Sequence, residues 1–222
     1  MSLSDSLLPK RLLLASFLIF ASLFLVLIPL QPYPGSFLLK AIPAASLALL
    51  AITHVSGLQG TLLALGFLFS AGGDIALELD RDNYFVIGLA LFLVAHLFYI
   101  GTFLQDARWE QARWPAVVLL LLYSGVLTVL LWPALEELQL PVLAYMVVIT
   151  AMGMVAALRP GPGAWLVLAG AFLFILSDSL IAIDKFLRPV PAGRYAVMVT
   201  YYSAQLLIAY GMVASGKIGN QA

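Results

Sequence analysis

The chain has 222 residues, of which 63% are hydrophobic and 10% charged, with eleven Lys+Arg against eleven Asp+Glu. A soluble domain carries about 25% charged residues, so this composition, with a mean hydropathy of +1.05, belongs to an integral membrane protein. Zero net charge excludes a basic surface for nucleic acid, and the absence of cysteine excludes disulfides, thiolate catalysis and Cys-bound metals.

A bilayer core about 30 Å thick needs roughly 20 apolar residues per helix. Eight such stretches follow in chain order, at 12–30, 37–53, 60–79, 84–104, 115–132, 141–158, 164–183 and 195–214. The second is the least regular, being short and interrupted by Lys40 and Pro43. Breakers such as Gln31-Pro-Tyr-Pro-Gly35 and Arg159-Pro-Gly-Pro-Gly163 separate the stretches. No connection is long enough for a soluble domain, so the expectation is one all-α transmembrane domain over 1–222. The first stretch follows Lys10 and Arg11 as a signal peptide would. Its apolar run exceeds the usual 7–15 residues and Ile28-Pro-Leu-Gln31 is a poor cleavage site, so it is expected to be retained.

Eight crossings put both termini on one face. That face collects Lys10, Arg11, Arg108, Arg113, Arg159 and Lys217, against Arg81, Lys185, Arg188, Arg194 and in part Lys40 on the other. The bias is small and favours cytoplasmic termini; for a bacterial chain the expected location is the cytoplasmic membrane. Gly66-Phe-Leu-Phe-Ser-Ala-Gly-Gly-Asp74 also resembles Gly170-Ala-Phe-Leu-Phe-Ile-Leu-Ser-Asp178, at an offset of 104 residues that spans four helices. This suggests a parallel duplication of two four-helix halves, although shared membrane composition can mimic such a match.

Ionisable side chains in a bilayer are costly and mark function by default. Asp74 lies about 21 Å along the third stretch at 1.5 Å per residue, and Asp178 comes to the same depth in the seventh, from the same side. Lys40, Tyr201, Tyr202 and Gln205 fall in that half of the membrane, while His96, which shares a face with Tyr99, lies nearer the midplane. Bland alternatives stand beside each. The two acids can be hydrogen-bond anchors between helices and His96 a satisfied interhelical histidine. Lys40 can snorkel to the surface, and the two tyrosines can belong to an interfacial belt. Glu78, Asp80, Asp82, Asp184, Lys185 and Arg188 read as solvated loop charges. His54 and His96 are too far apart for a helix-borne zinc pair.

Two buried carboxylic acids suit acid/base chemistry, because burial and mutual repulsion favour one keeping its proton while the other is ionised. A site open to lipid near one face would admit an amphiphile, which favours an intramembrane lipid hydrolase. No Gly-x-Ser-x-Gly elbow is present, and Ser177 and Ser179 need not be nucleophiles. A proton-coupled transporter of a small or amphiphilic solute would use the same acids, and the residues alone do not separate the two.

The motifs resemble a known family. Gly66 to Asp74, Gly88-Leu-Ala-Leu-Phe-Leu-Val-Ala-His96-Leu-Phe-Tyr99, Phe174-Ile-Leu-Ser-Asp178-Ser-Leu-Ile-Ala-Ile-Asp-Lys-Phe186 and Tyr201-Tyr-Ser-Ala-Gln205 are similar to the YhhN membrane proteins. Members characterised as enzymes are lysoplasmalogenases with eight helices and two essential aspartates. The resemblance implies hydrolysis of the vinyl ether of a lysoplasmalogen to a fatty aldehyde and glycerophospho-ethanolamine or -choline. It implies Asp74 and Asp178 as catalytic residues, with Lys40, His96, Tyr99, Tyr201, Tyr202 and Gln205 as substrate-binding positions. Partners would be a lysophospholipid or related amphiphile and membrane lipids; no metal or cofactor is expected. Two departures stand out: Lys40 is separated from Pro43, where the family's lysine directly precedes a proline, and Ala95 replaces a commoner glycine before His96.

Overall fold

The computed structural model describes residues 9–215. Among them are eight long helices: α1 Lys10–Leu27, α2 Ser36–His54, α3 Gly57–Leu79, α4 Phe85–Leu104, α5 Trp114–Leu131, α6 Gln139–Ala157, α7 Ala164–Phe186 and α8 Gly193–Ser215. All eight are long and apolar enough to cross a membrane, which makes this a multi-pass membrane protein. Each stretch read from the sequence falls on one helix, with ends that agree to within three residues. Lys217 and the outer ends of the 1–222 domain lie outside the described residues. Pro43 does not break α2, which runs through it. Neighbouring helices in a membrane can satisfy the backbone group that a proline frees, and α2 is packed against α1, α3 and α8.

The chain meanders, so sequence neighbours pack together, with α2–α3, α3–α4 and α7–α8 the closest pairs. Three further contacts, α4 with α6, α2 with α8 and a smaller one of α1 with α8, join the first four helices to the last four. α1 and α5 stand on the outside. α5 turns Val118, Leu119, Leu122, Val126 and Val129 outward, as lipid demands and water would not.

Lipid tails are as apolar as leucine, so helix association here relies on close packing of small residues and on polar contacts. The ring of Tyr99 lies where a side chain on Gly66 would be, and the ring of Phe92 does the same at Gly73. Gly170 lets α7 meet the α8 backbone at Ala204. Gly163 starts α7 at φ +79, a conformation that L side chains rarely adopt, with its Cα against the Gly211 backbone. Gly161 has a similar φ of +78 but open space around it. Gly163→Ala is therefore expected to cost about 2 kcal/mol more than Gly161→Ala, because only the former adds a backbone clash to the strain. Thermal unfolding of the two variants in detergent, compared with wild type, measures the difference; equal losses would remove the close-contact argument.

The α3–α4 connection is shaped by Asp80, whose carboxylate accepts the backbone N–H groups of Asp82 (3.1 Å) and Asn83 (3.0 Å) and the Asn83 side-chain amide (2.8 Å). These donors, the Asn83 amides first, hold the exposed Asp80 carboxyl below the usual aspartate range. The tight turn fixes Arg81 and Asp82 opposite the end of α7, where Arg81 binds Asp184 at 3.0 Å and Lys185 binds Asp82 at 3.1 Å. Asp184 and Lys185, read as loop charges, belong to the last turn of α7.

Candidate active site

Asp74 and Asp178 come from α3 and α7, five residues and eight residues before the ends of their helices at Leu79 and Phe186. They line one small cavity of about 20 Å³ together with Lys40, Phe92, Ser177 and Tyr201. A water molecule needs about 10–15 Å³ of such space, so the gap between the acids has room for one.

The surroundings of the two acids differ. Asp74 is 2% exposed; the Tyr201 hydroxyl donates to it at 2.6 Å and the Lys40 ammonium lies 3.7 Å away. Behind Tyr201, the Gln205 amide donates to the phenol oxygen at 2.7 Å, so a chain of donors ends on Asp74. Asp178 has no cation partner among the described residues; its carboxylate accepts a hydrogen bond from the Tyr145 hydroxyl of α6. The neighbouring serines are spent on the backbone: Ser177 donates to Val197 and Ser179 to Ile175.

Two further spaces adjoin the central cavity. On the Asp178 side an apolar slot runs between α4, α6 and α7, walled by residues such as Phe85, Leu89, Val142, Met146, Ile149 and Ile175, with Tyr145 and Asp178 at its inner end. On the Lys40 side a charged vestibule of about 250 Å³ opens towards the α3–α4 and α7–α8 connections. Its charged lining is Lys40, Arg81 and Arg194 against Glu78, Asp80 and Asp184. Leu77 and Ile181 border all three spaces, so the three adjoin one another. One end of the site is thus apolar, the other charged, and the two acids lie between.

Of the residues expected to bind substrate, Lys40 and Tyr201 line the central cavity. Lys40 does not snorkel: it is 8% exposed and its ammonium turns inward to Asp74 and Glu78, each at 3.7 Å. Tyr201 and Tyr202 are buried rather than interfacial. Tyr202 donates to the Lys40 carbonyl at 3.2 Å, and so braces α8 against α2. Tyr99 is fully buried, with its hydroxyl 3.1 Å from Ser70. His96 is also fully buried; its Nδ1 donates to the Phe92 carbonyl at 2.6 Å, and its ring meets those of Phe174, Tyr145 and Tyr99. His96, Tyr99, Tyr202 and Gln205 therefore stand behind the cavity walls and line none of the three spaces.

Three participants escaped the sequence reading. Tyr145 is a hydroxyl placed six residues into an otherwise apolar helix from the same membrane face, and that depth was its only signal. Glu78, expected to be a solvated loop charge, has a side chain only 4% exposed, held by Lys40, by Arg194 at 2.7 Å and by Gln31 at 2.8 Å. Burial of a carboxylate is tolerated here because two cations and an amide surround it. Arg194 entered the sequence reading only as a topology charge.

Known proteins bear out the resemblance. The YhhN family model matches residues 35–212. The chain is 34% identical over 214 residues to the lysoplasmalogenase of Mycobacterium bovis, covering 90% of this chain and 82% of that one. It is 35% identical over 193 residues to lysoplasmalogenase TMEM86A of Bos taurus, covering 81% and 79%. With the human lysoplasmalogenase TMEM86B the identity is 34% over 180 residues, covering 80% and 75%. No solved structure matches the chain. A match over this much of the sequence, carrying the motifs that build the site, makes the chain a member of the YhhN family.

Proposed function

We propose that this protein is a lipid ether hydrolase of the lysoplasmalogenase type, which cleaves the vinyl ether of a lysoplasmalogen to a fatty aldehyde and a glycerophospho-alcohol. The observation that carries the reading is the placement of Asp74 and Asp178 on one cavity, between an apolar slot and a charged vestibule. An amphiphile laid along these spaces has its alkenyl chain in the slot, its headgroup in the vestibule and its ether bond between the acids. Relatives of similar sequence named lysoplasmalogenase support the same reading.

The asymmetry of the acids divides the chemistry. Hydrolysis of a vinyl ether begins with protonation of the carbon one position removed from the oxygen, which leaves an oxocarbenium ion. Water adds to that cation, and the resulting hemiacetal collapses to aldehyde and alcohol. In the proposed orientation the carbon to be protonated lies towards the tail, on the side of Asp178. Asp178, which lacks a cation partner, is the proton donor. Asp74, whose carboxylate form is favoured by the Lys40 ammonium and the Tyr201 hydroxyl, faces the developing cation and accepts a proton from the attacking water. As the hemiacetal breaks down, Asp74 gives its proton to the departing alcohol oxygen and Asp178 takes the proton of the hemiacetal hydroxyl, which restores both groups. Glycosidases divide the same tasks between two carboxyls through a similar cation.

The test is aldehyde release from a 1-alkenyl-glycerophosphoethanolamine by the full chain purified in detergent. One aldehyde per headgroup released is the expected result. Proton-driven flux of an amphiphile in proteoliposomes, with no product formed in detergent, would replace the hydrolase with a transporter.

A further inference from the structure

The three cations of the vestibule differ in what they can still do. Lys40 is buried, and its ammonium is held by Asp74 and Glu78. Arg194 and Arg81 have side chains 49% and 44% exposed. Each engages a single nitrogen: Arg194 Nη2 on both oxygens of Glu78, Arg81 Nη1 on Asp184. A guanidinium carries five N–H donors, so both retain donors beside the vestibule. Arginine's planar fork matches phosphate oxygens in pairs, which a lysine ammonium cannot do.

Distance favours Arg194. Glu78 follows Asp74 by one turn of α3, a step of about 6 Å, and Arg194 Nη2 lies 2.7 Å from Glu78. In a lysoplasmalogen five bonds, about 6 Å, separate the ether oxygen from phosphorus. A phosphate at Arg194 is thus separated from Asp74 by a span comparable to that between phosphorus and the vinyl ether. Glu78, itself fixed by Lys40 and Gln31, holds the guanidinium at the mouth before any ligand arrives, which lowers the ordering cost of binding.

We propose that Arg194, with Arg81 across the vestibule, binds the phosphate of the substrate headgroup and makes the enzyme select a phospholipid over an uncharged alkenylglycerol. This rests on the hydrolase reading above and names the residues that recognise the headgroup. The role falls on Arg81 of the α3–α4 connection and Arg194 in the first turn of α8.

The experiment compares kcat/KM for 1-alkenyl-glycerophosphoethanolamine with that for 1-alkenylglycerol, which lacks the phosphate, in the wild type, Arg194→Gln and Arg81→Gln. Arg188→Gln, an exposed position outside the vestibule, controls for loss of charge on the same face. Arg194→Gln is expected to lower the ratio of the two kcat/KM values about tenfold or more, chiefly through KM of the phosphorylated substrate. Arg81→Gln lowers it less, and Arg188→Gln leaves it at the wild-type value. Equal losses on both substrates would mean that Arg194 acts only through Glu78, and the proposal would fall. A wild type that cleaves both substrates equally well would also sink it while leaving the hydrolase intact. Aldehyde from neither substrate would instead overturn the hydrolase reading itself. If Arg194→Gln does not fold, Arg194→Lys serves: it keeps the charge beside Glu78 but loses the fork, and the same ratio falls by a smaller factor.

Discussion

Asp74→Asn and Asp178→Asn are each expected to lower kcat for aldehyde release by about 10²–10⁴-fold, the range that a positioned acid or base contributes. Asparagine preserves size and an accepting oxygen, so Tyr201 can still donate at position 74 and Tyr145 at position 178. Folding in detergent should therefore survive while turnover does not. The double variant is expected to be little worse than either single one, because residues that act as a unit are not additive. Proton delivery to carbon has its own signature: in heavy water, wild type should place one deuterium on the aldehyde carbon next to the carbonyl. Near-wild-type turnover in both single variants would remove the aspartates from the mechanism and return them to anchors between α3 and α7.

The second large effect lies at the opposite face and concerns stability. Arg159, fully buried, binds both oxygens of Asp106 at 2.9 and 2.7 Å. It also reaches Ser215 at 3.4 Å and lies over the Phe103 ring. Ser215 in turn donates to the Pro162 carbonyl at 2.7 Å. This one guanidinium joins the connection after α4, the α6–α7 connection and the end of α8. Asp106→Asn leaves a buried charge without its counter-ion, at a cost of about 3 kcal/mol. The Asp106 side chain is one-third exposed, which places the loss at the low end of the range for buried pairs. A fall in Tm of about 6–12 °C is the expected reading, with kcat of the folded protein kept close to wild type because the aspartates lie across the membrane. An unchanged Tm would show that water replaces the carboxylate and that the pair holds nothing together.

Much of this molecule is legible without coordinates, and the reason is the solvent. A bilayer forces every backbone polar group to be satisfied within its own helix, so length and hydropathy alone locate the spans. At Pro43 the local signal for a break is overridden, because α1, α3 and α8 supply the support that an isolated helix would lack. Asp74 and Asp178 are equally legible, since a carboxylate in an apolar run has few uses. Tyr145, Glu78 and Arg194 are not. A tyrosine, a glutamate and an arginine near helix ends are common at membrane surfaces, and nothing in their spacing tells whether they turn inward.

What the sequence determined by itself is the set of elements and the family: eight apolar helices, two intramembrane acids at similar depth and motifs shared with YhhN proteins. The tertiary structure decided the partnerships. Only the folded bundle brings Lys40 of α2 and Tyr201 of α8 onto Asp74 of α3, and only the contact of α6 with α7 places Tyr145 on Asp178. The proposed division into acid and carboxylate rests on those contacts, because the charge of a buried group depends on what lies within a few ångströms of it. The same holds for the proposed headgroup site: Arg194 and Glu78 are 116 residues apart and meet only in the folded bundle.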